Sequence, residues 1–98
     1  MLWWQGGSMA ILMTADVPGQ TKEIYDGMLA ALGGPLQQAK GFIAHFAAQT
    51  DTGWTVMELW ETPEDATQFF ATVVHPNLPP GITPKRSLVE LHSLVRRP

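Results

Sequence analysis

Cysteine is absent from the chain, which removes a disulfide scaffold, a thiolate nucleophile and any Cys-based zinc or iron–sulfur site. Charge is scarce: only 15% of residues are Asp, Glu, Lys or Arg, against roughly 25% in an average soluble domain. Basic residues are the scarcer kind, 6 Lys+Arg against 9 Asp+Glu, for a net charge of −3. Their only dense spots are Lys85–Arg86 and Arg96–Arg97, so no nucleic-acid footprint is present. No apolar run approaches the roughly 18–20 residues of a membrane span, and the opening Met1-Leu2-Trp3-Trp4 lacks the basic n-region of a signal peptide. A cytoplasmic location, with no nucleic acid and no membrane among its partners, fits these absences. What the chain does have is apolar: 45% hydrophobic residues and four Trp in 98. Trp is costly to leave in water, so some surface that is normally charged is expected to be covered.

The length suits one domain. Residues 1–8 read as a disordered extension or remnant, and 9–98 as the folding unit. Ala10 to Val17 is a short β-leaning run stopped by Pro18-Gly19. Thr21 opens a helix on which Ile24, Tyr25, Met28, Leu29 and Leu32 form one apolar stripe, and Gly33-Gly34-Pro35 ends or breaks it. Phe42–Thr50 and Trp54–Glu61 read as a hairpin about Asp51-Thr52-Gly53. Thr62-Pro63-Glu64-Asp65 is a cap, an N1 proline and two acids at the positive end of a helix dipole, and predicts a helix to about His75. Pro76–Pro84 is a stiff loop with four prolines. Ser87–Val95 is the last strand.

The order β-α-β-β-α-β predicts an α+β, ferredoxin-like fold: a four-stranded antiparallel sheet with both helices on one face. Alternation along the third and fourth strands leaves neither face cleanly polar. Trp54, Val56, Glu58 and Trp60 share one side of a strand, and Thr55, Met57, Leu59 and Glu61 the other. An ordinary solvated sheet face is polar, so the second face is expected to pack on a second copy of the chain, a homodimer through the sheet.

Ala10–Val17, Glu23-Ile24-Tyr25, Pro35 to Ala47 with Gly41-Phe42-Ile43, and above all Met57-Glu58-Leu59-Trp60-Glu61-Thr62 before the acidic helix start resemble the antibiotic biosynthesis monooxygenase-like proteins of the dimeric α+β barrel superfamily. The resemblance spans nearly everything from Met9 to Val95. It implies a homodimer with an apolar pocket between helices and sheet, and oxidation of a small aromatic, polyketide- or quinol-like substrate by dioxygen with no cofactor. The alternatives are a non-catalytic module that binds a small molecule, and heme binding or degradation. Quinone-forming members of that family carry Asn and Trp in the pocket, whereas the one Asn here is Asn77, in the proline loop, and the second helix has no Trp. The heme-degrading branch pairs a first-strand Asn with a helical His. His75 matches the latter, but the first strand has no Asn.

His75 and Glu58 are the catalytic candidates. His75 stands at a helix C-terminus, where an imidazole complements the dipole, with a role as base or ligand the alternative. Glu58 shares a strand face with Val56 and Trp60, and a carboxylate so enclosed needs a partner. A salt bridge to Arg86 or Lys85 is the plain expectation, a general base in a dry pocket the functional one. Tyr25, Met28, Trp60, Phe69 and Phe70 are candidates to line a cleft for a small aromatic ligand, with His45 and His92 as further lining residues. Three His on three separate elements form no metal-ligand pattern, so no metal site is predicted.

Overall fold

Alternation is plainest along the first long strand. The computed structural model describes residues 2–3 and 10–98, and in it β2 (Ile11–Pro18) buries Ile11, Met13, Ala15 and Val17 while the residues between them are more exposed. Period-2 burial of this kind marks a strand with one face on a core. β2 pairs with β4 (Gly53–Trp60) on one side and β5 (Lys85–Glu90) on the other, and β3 (Phe42–Gln49) completes the sheet beyond β4. The order is β3-β4-β2-β5, antiparallel throughout. With one helical segment between β2 and β3 and another between β4 and β5, this is the α+β, ferredoxin-like arrangement expected.

Helix α1 (Lys22–Gln37) starts where Thr21 accepts a hydrogen bond from the Ile24 backbone N–H, a side-chain cap. It does not stop at Gly33-Gly34-Pro35 but runs through them to Gln37. Pro35 lies in the last turn, where it removes a single backbone bond, and the burial of Leu36 holds that turn against the core. The second helical segment opens as its motif requires: Thr62 caps, accepting from the Asp65 N–H at 3.0 Å, and Pro63 begins α2 (Pro63–Phe69). The segment continues toward His75 but not as one α-helix. Phe70–Val74 is a π-helical turn, with the His75 N–H bonded to the Phe70 carbonyl, and His75–Asn77 is a 3-10 turn. A proline ring clashes with the carbonyl four residues before it in α geometry, and the helix widens just ahead of Pro76.

Two further details differ from the sequence reading. A bulge between Phe42 and Ala44 makes Ile43 the extra residue, so His45 shares its face with Ala47 but not in regular alternation with Ile43. The last strand begins at Lys85 and ends at Glu90, not Ser87–Val95. Glu90 lies opposite Ile11, the first residue of β2, and among the described residues the pairing ends one bond later, where the Leu91 N–H donates to the Ala10 carbonyl at 2.8 Å. The chain then turns away, and Val95–Arg96 (β6) pairs with Leu2–Trp3 (β1) in a separate two-stranded ladder. The rest of the expected 1–8 extension lies outside the described residues.

The core lies between the sheet and the helices. Trp60 at its centre is completely buried, with Phe42 edge-on at 5.5 Å and Phe69 tilted against it at 5.7 Å. No helix among the described residues is long and apolar enough to cross a membrane.

Candidate functional site

On the helix-facing side of the sheet, His45 of β3 and Glu58 of β4 are direct register partners. Cross-strand neighbours on one face stand close enough for their side chains to meet, and here His45 Nδ1 lies 2.7 Å from Glu58 Oε2. The other carboxylate oxygen, Oε1, accepts from the Trp60 indole N–H at 2.9 Å. Helix α1 lowers Tyr25 onto the far side of the imidazole, with its hydroxyl 2.7 Å from His45 Nε2. A carboxylate only accepts hydrogen bonds, so Glu58 selects the His45 tautomer with its proton on Nδ1. That leaves the Nε2 lone pair to accept from the Tyr25 hydroxyl. The result is a directed chain, Tyr25 to His45 to Glu58, anchored by Trp60. The Tyr25 ring stacks on Trp54 at 5.1 Å, which fixes it from behind.

This chain opens on an apolar cavity of about 110 Å³ between sheet and helices. Met13, Ala15 and Val56 line it from the strands, Met28 and Leu32 from α1, and Phe69 and Phe70 from the second helical segment. Leu78 and Pro84, from the proline loop, form part of the rim. Gly33 also lines it, and its lack of a side chain keeps α1 from filling the space. Burial, together with the negative charges of Glu58 and Asp26, holds the Tyr25 hydroxyl above the ordinary tyrosine range, so Tyr25 stays a neutral donor.

The expected site residues divide. Glu58, Tyr25, Met28, Phe69, Phe70 and His45 all line the cavity. Trp60 does not, but holds Glu58 from within the core. His75 is exposed on the 3-10 turn, 6.0 Å from the Phe70 ring and outside the cavity lining. His92 is exposed beyond the end of β5. The salt bridge expected between Glu58 and Arg86 or Lys85 is not formed: His45 and Trp60 hold the carboxylate, Lys85 faces the other side of the sheet by register, and Arg86 stands across β2 from Glu58. Arg86 instead projects into the cavity with its guanidinium 4.1 Å over the Phe70 ring. Two participants were missed from sequence: Trp54, whose strand-face parity with Glu58 was visible, and Arg86, assigned only as a counter-ion. Among the described residues no three His, Cys, Asp or Glu side chains gather as a metal site would require.

No family model matches the chain, and no curated protein matches it in sequence. Solved structures do. A point mutant of SnoaB, a cofactor-independent oxygenase from Streptomyces nogalater, superposes with a TM-score of 0.64 over 93% of this chain and all of that one, at 10% identity. The chain shares the SnoaB fold. A candidate monooxygenase from Shewanella loihica PV-4 is similar as well, with a TM-score of 0.58 over 94% of this chain and all of that one, again at 10% identity. Likeness at this identity shows a shared fold and leaves the chemistry to the side chains described above.

Proposed function

We propose that this chain is a cofactor-independent monooxygenase that ionises a small hydroxyaromatic or quinol-like substrate and leaves the resulting anion to react with dioxygen. The observation that carries the reading is the Tyr25–His45–Glu58 chain facing an apolar cavity. A substrate hydroxyl meeting the Tyr25 oxygen gives up its proton there as the Tyr25 proton passes to His45 Nε2. Glu58 then stabilises the imidazolium, a division of labour familiar from base–orienter pairs. The anion of a readily oxidised substrate, such as a hydroquinone or an anthrone, is electron-rich enough to reduce oxygen directly. A new C–O bond forms at ring carbon, the O–O bond breaks, and one oxygen leaves as water, so that a phenol and O₂ give a quinone and H₂O with no other reductant. The apolar lining limits the water around the anion and its peroxide. The cofactor-independent oxygenase activity named for SnoaB supports this reading by likeness of fold. Oxygen uptake with a panel of phenols and hydroquinones tests it. Ligand-induced stabilisation without any uptake favours the non-catalytic binding module instead.

The same reading includes a homodimer. The sheet face away from the helices carries Leu12, Ala44, Phe46, Met57, Leu59 and Val89, by register with the buried residues of β2. Phe46 and Val89 are 45% and 55% exposed. Its charged groups, Asp16 and Lys85, sit opposite each other at one end. A nearly uncharged apolar face can be complementary to itself about a two-fold axis, which supports a second copy of the chain as its cover.

A further inference from the structure

Among the described residues Arg86 is a cation without an anion: its Nε is buried with no hydrogen-bond partner, and the only ion pairs are Lys22–Asp26 and His45–Glu58. Burial pulls the guanidinium below its usual range, partly offset by the charge of Glu58. A buried polar group left unpaired is costly, and natural sites retain such groups where a ligand completes them. The Phe70 ring beneath the guanidinium holds its plane, and the π-helical turn that begins at Phe70 is the sort of helix irregularity common at functional sites.

The register sets the distance across the cavity. Arg86 pairs with Ala15 of β2, and Glu58 with Met13 of the same strand on its other side. Arg86 and Glu58 therefore stand two strand spacings across and two residues along the sheet from each other, about 12 Å, and their side chains face the same cavity. Ala15, between Arg86 and Val56, contributes only a methyl group to the floor. A cavity of about 110 Å³ is smaller than the 150 Å³ apolar cavity that takes benzene, so it admits at most one ring; a tricyclic skeleton would project from its mouth.

Building on the proposed function, we infer that the substrate is a monocyclic hydroxyaryl acid, its carboxylate bound by Arg86 across the ring from the hydroxyl that meets Tyr25. Arginine suits a carboxylate because its N–H groups form a planar fork. The probes are 4-hydroxybenzoate and phenol, with affinities measured by calorimetry on the full chain. The wild type is expected to bind 4-hydroxybenzoate at least tenfold more tightly than phenol. Arg86→Met weakens 4-hydroxybenzoate by tenfold or more and changes phenol by less than threefold. Arg86→Lys, which keeps the charge but not the fork, falls between them, and retained phenol binding reports that each variant is folded. Equal affinity of the wild type for both probes, absence of 4-hydroxybenzoate binding, or equal losses for both in Arg86→Met would overturn the inference. Binding is read without turnover, so oxygenase activity can fail while Arg86 recognition stands. Conversely, oxidation of neutral phenols with no preference for acids leaves the oxygenase reading in place and removes this one.

Discussion

Tyr25 is the one tyrosine in the sequence, so its ionisation can be followed by tyrosinate absorbance without interference from another. Burial and the nearby carboxylates of Glu58 and Asp26 raise it above the usual value of 10.0. The folded protein is expected to titrate above that value and to return to it in denaturant. Glu58→Gln removes one of the raising charges and brings the folded midpoint down. A group with a raised folded value contributes stability that is complete below pH 10 and lost as pH climbs through the folded midpoint, so Tyr25→Phe abolishes that part of the alkaline loss. A folded midpoint at or below 10.0 would contradict the enclosed setting described for the chain. At this scale the sequence was partly legible. The enclosure of Glu58 followed from its strand parity with Val56 and Trp60, but its partners did not. Parity tells which face a residue occupies, whereas the pairing of His45 with Glu58 depends on hairpin register, which runs unbroken from Gln49 opposite Trp54 at the turn to Ala44 opposite Leu59, short of the bulge at Ile43. The convergence of Tyr25 on His45 needs the height and rotation of α1 over the sheet, which periodicity does not contain.

Elements were more legible than contacts, and their ends less so than their centres. The Thr62-Pro63-Glu64-Asp65 start is where its motif puts it, because capping is decided within four residues. The ends missed were those settled by distant packing: α1 carried through Pro35 by the burial of Leu36, and β5 stopped where β2 runs out. Gly41, between α1 and β3, shows how closely the elements meet. It has a φ of +81°, and a Cβ there would strike the Asp65 side chain at the start of α2. Its carbonyl accepts from the Glu61 N–H at 2.7 Å, tying the end of β4 to the beginning of β3. Gly41→Ala is expected to lower stability by about 1–3 kcal/mol, with the loss reduced when Asp65→Ala is added. Chemical denaturation of the two variants checks this; an unchanged midpoint for Gly41→Ala contradicts the close approach.

At the scale of the whole molecule the proposed dimer would account for the scarcity of charge. Helices cover one face of the sheet, and the other keeps Phe46 and Val89 in the open, a patch that lone soluble proteins seldom leave bare when it is large. Sedimentation over a range of concentrations is expected to give a dimer, and Phe46→Asp with Val89→Asp a folded monomer. A monomer mass for the wild type at every concentration would remove the dimer from the account. The fold itself was readable from element order, since β-α-β-β-α-β with short connections admits few arrangements, and it agrees with the SnoaB structure at 10% identity. The chemistry rests on side chains that such distant likeness does not carry over. Its most direct test is oxygen consumption by the wild type and by His45→Gln, with a phenol that binds both equally. The account predicts one O₂ taken up per quinone formed by the wild type, and a rate about a hundredfold or more lower in His45→Gln, the usual range for loss of a general base. Uptake no faster than with unfolded protein, or equal rates for the two proteins, would contradict it.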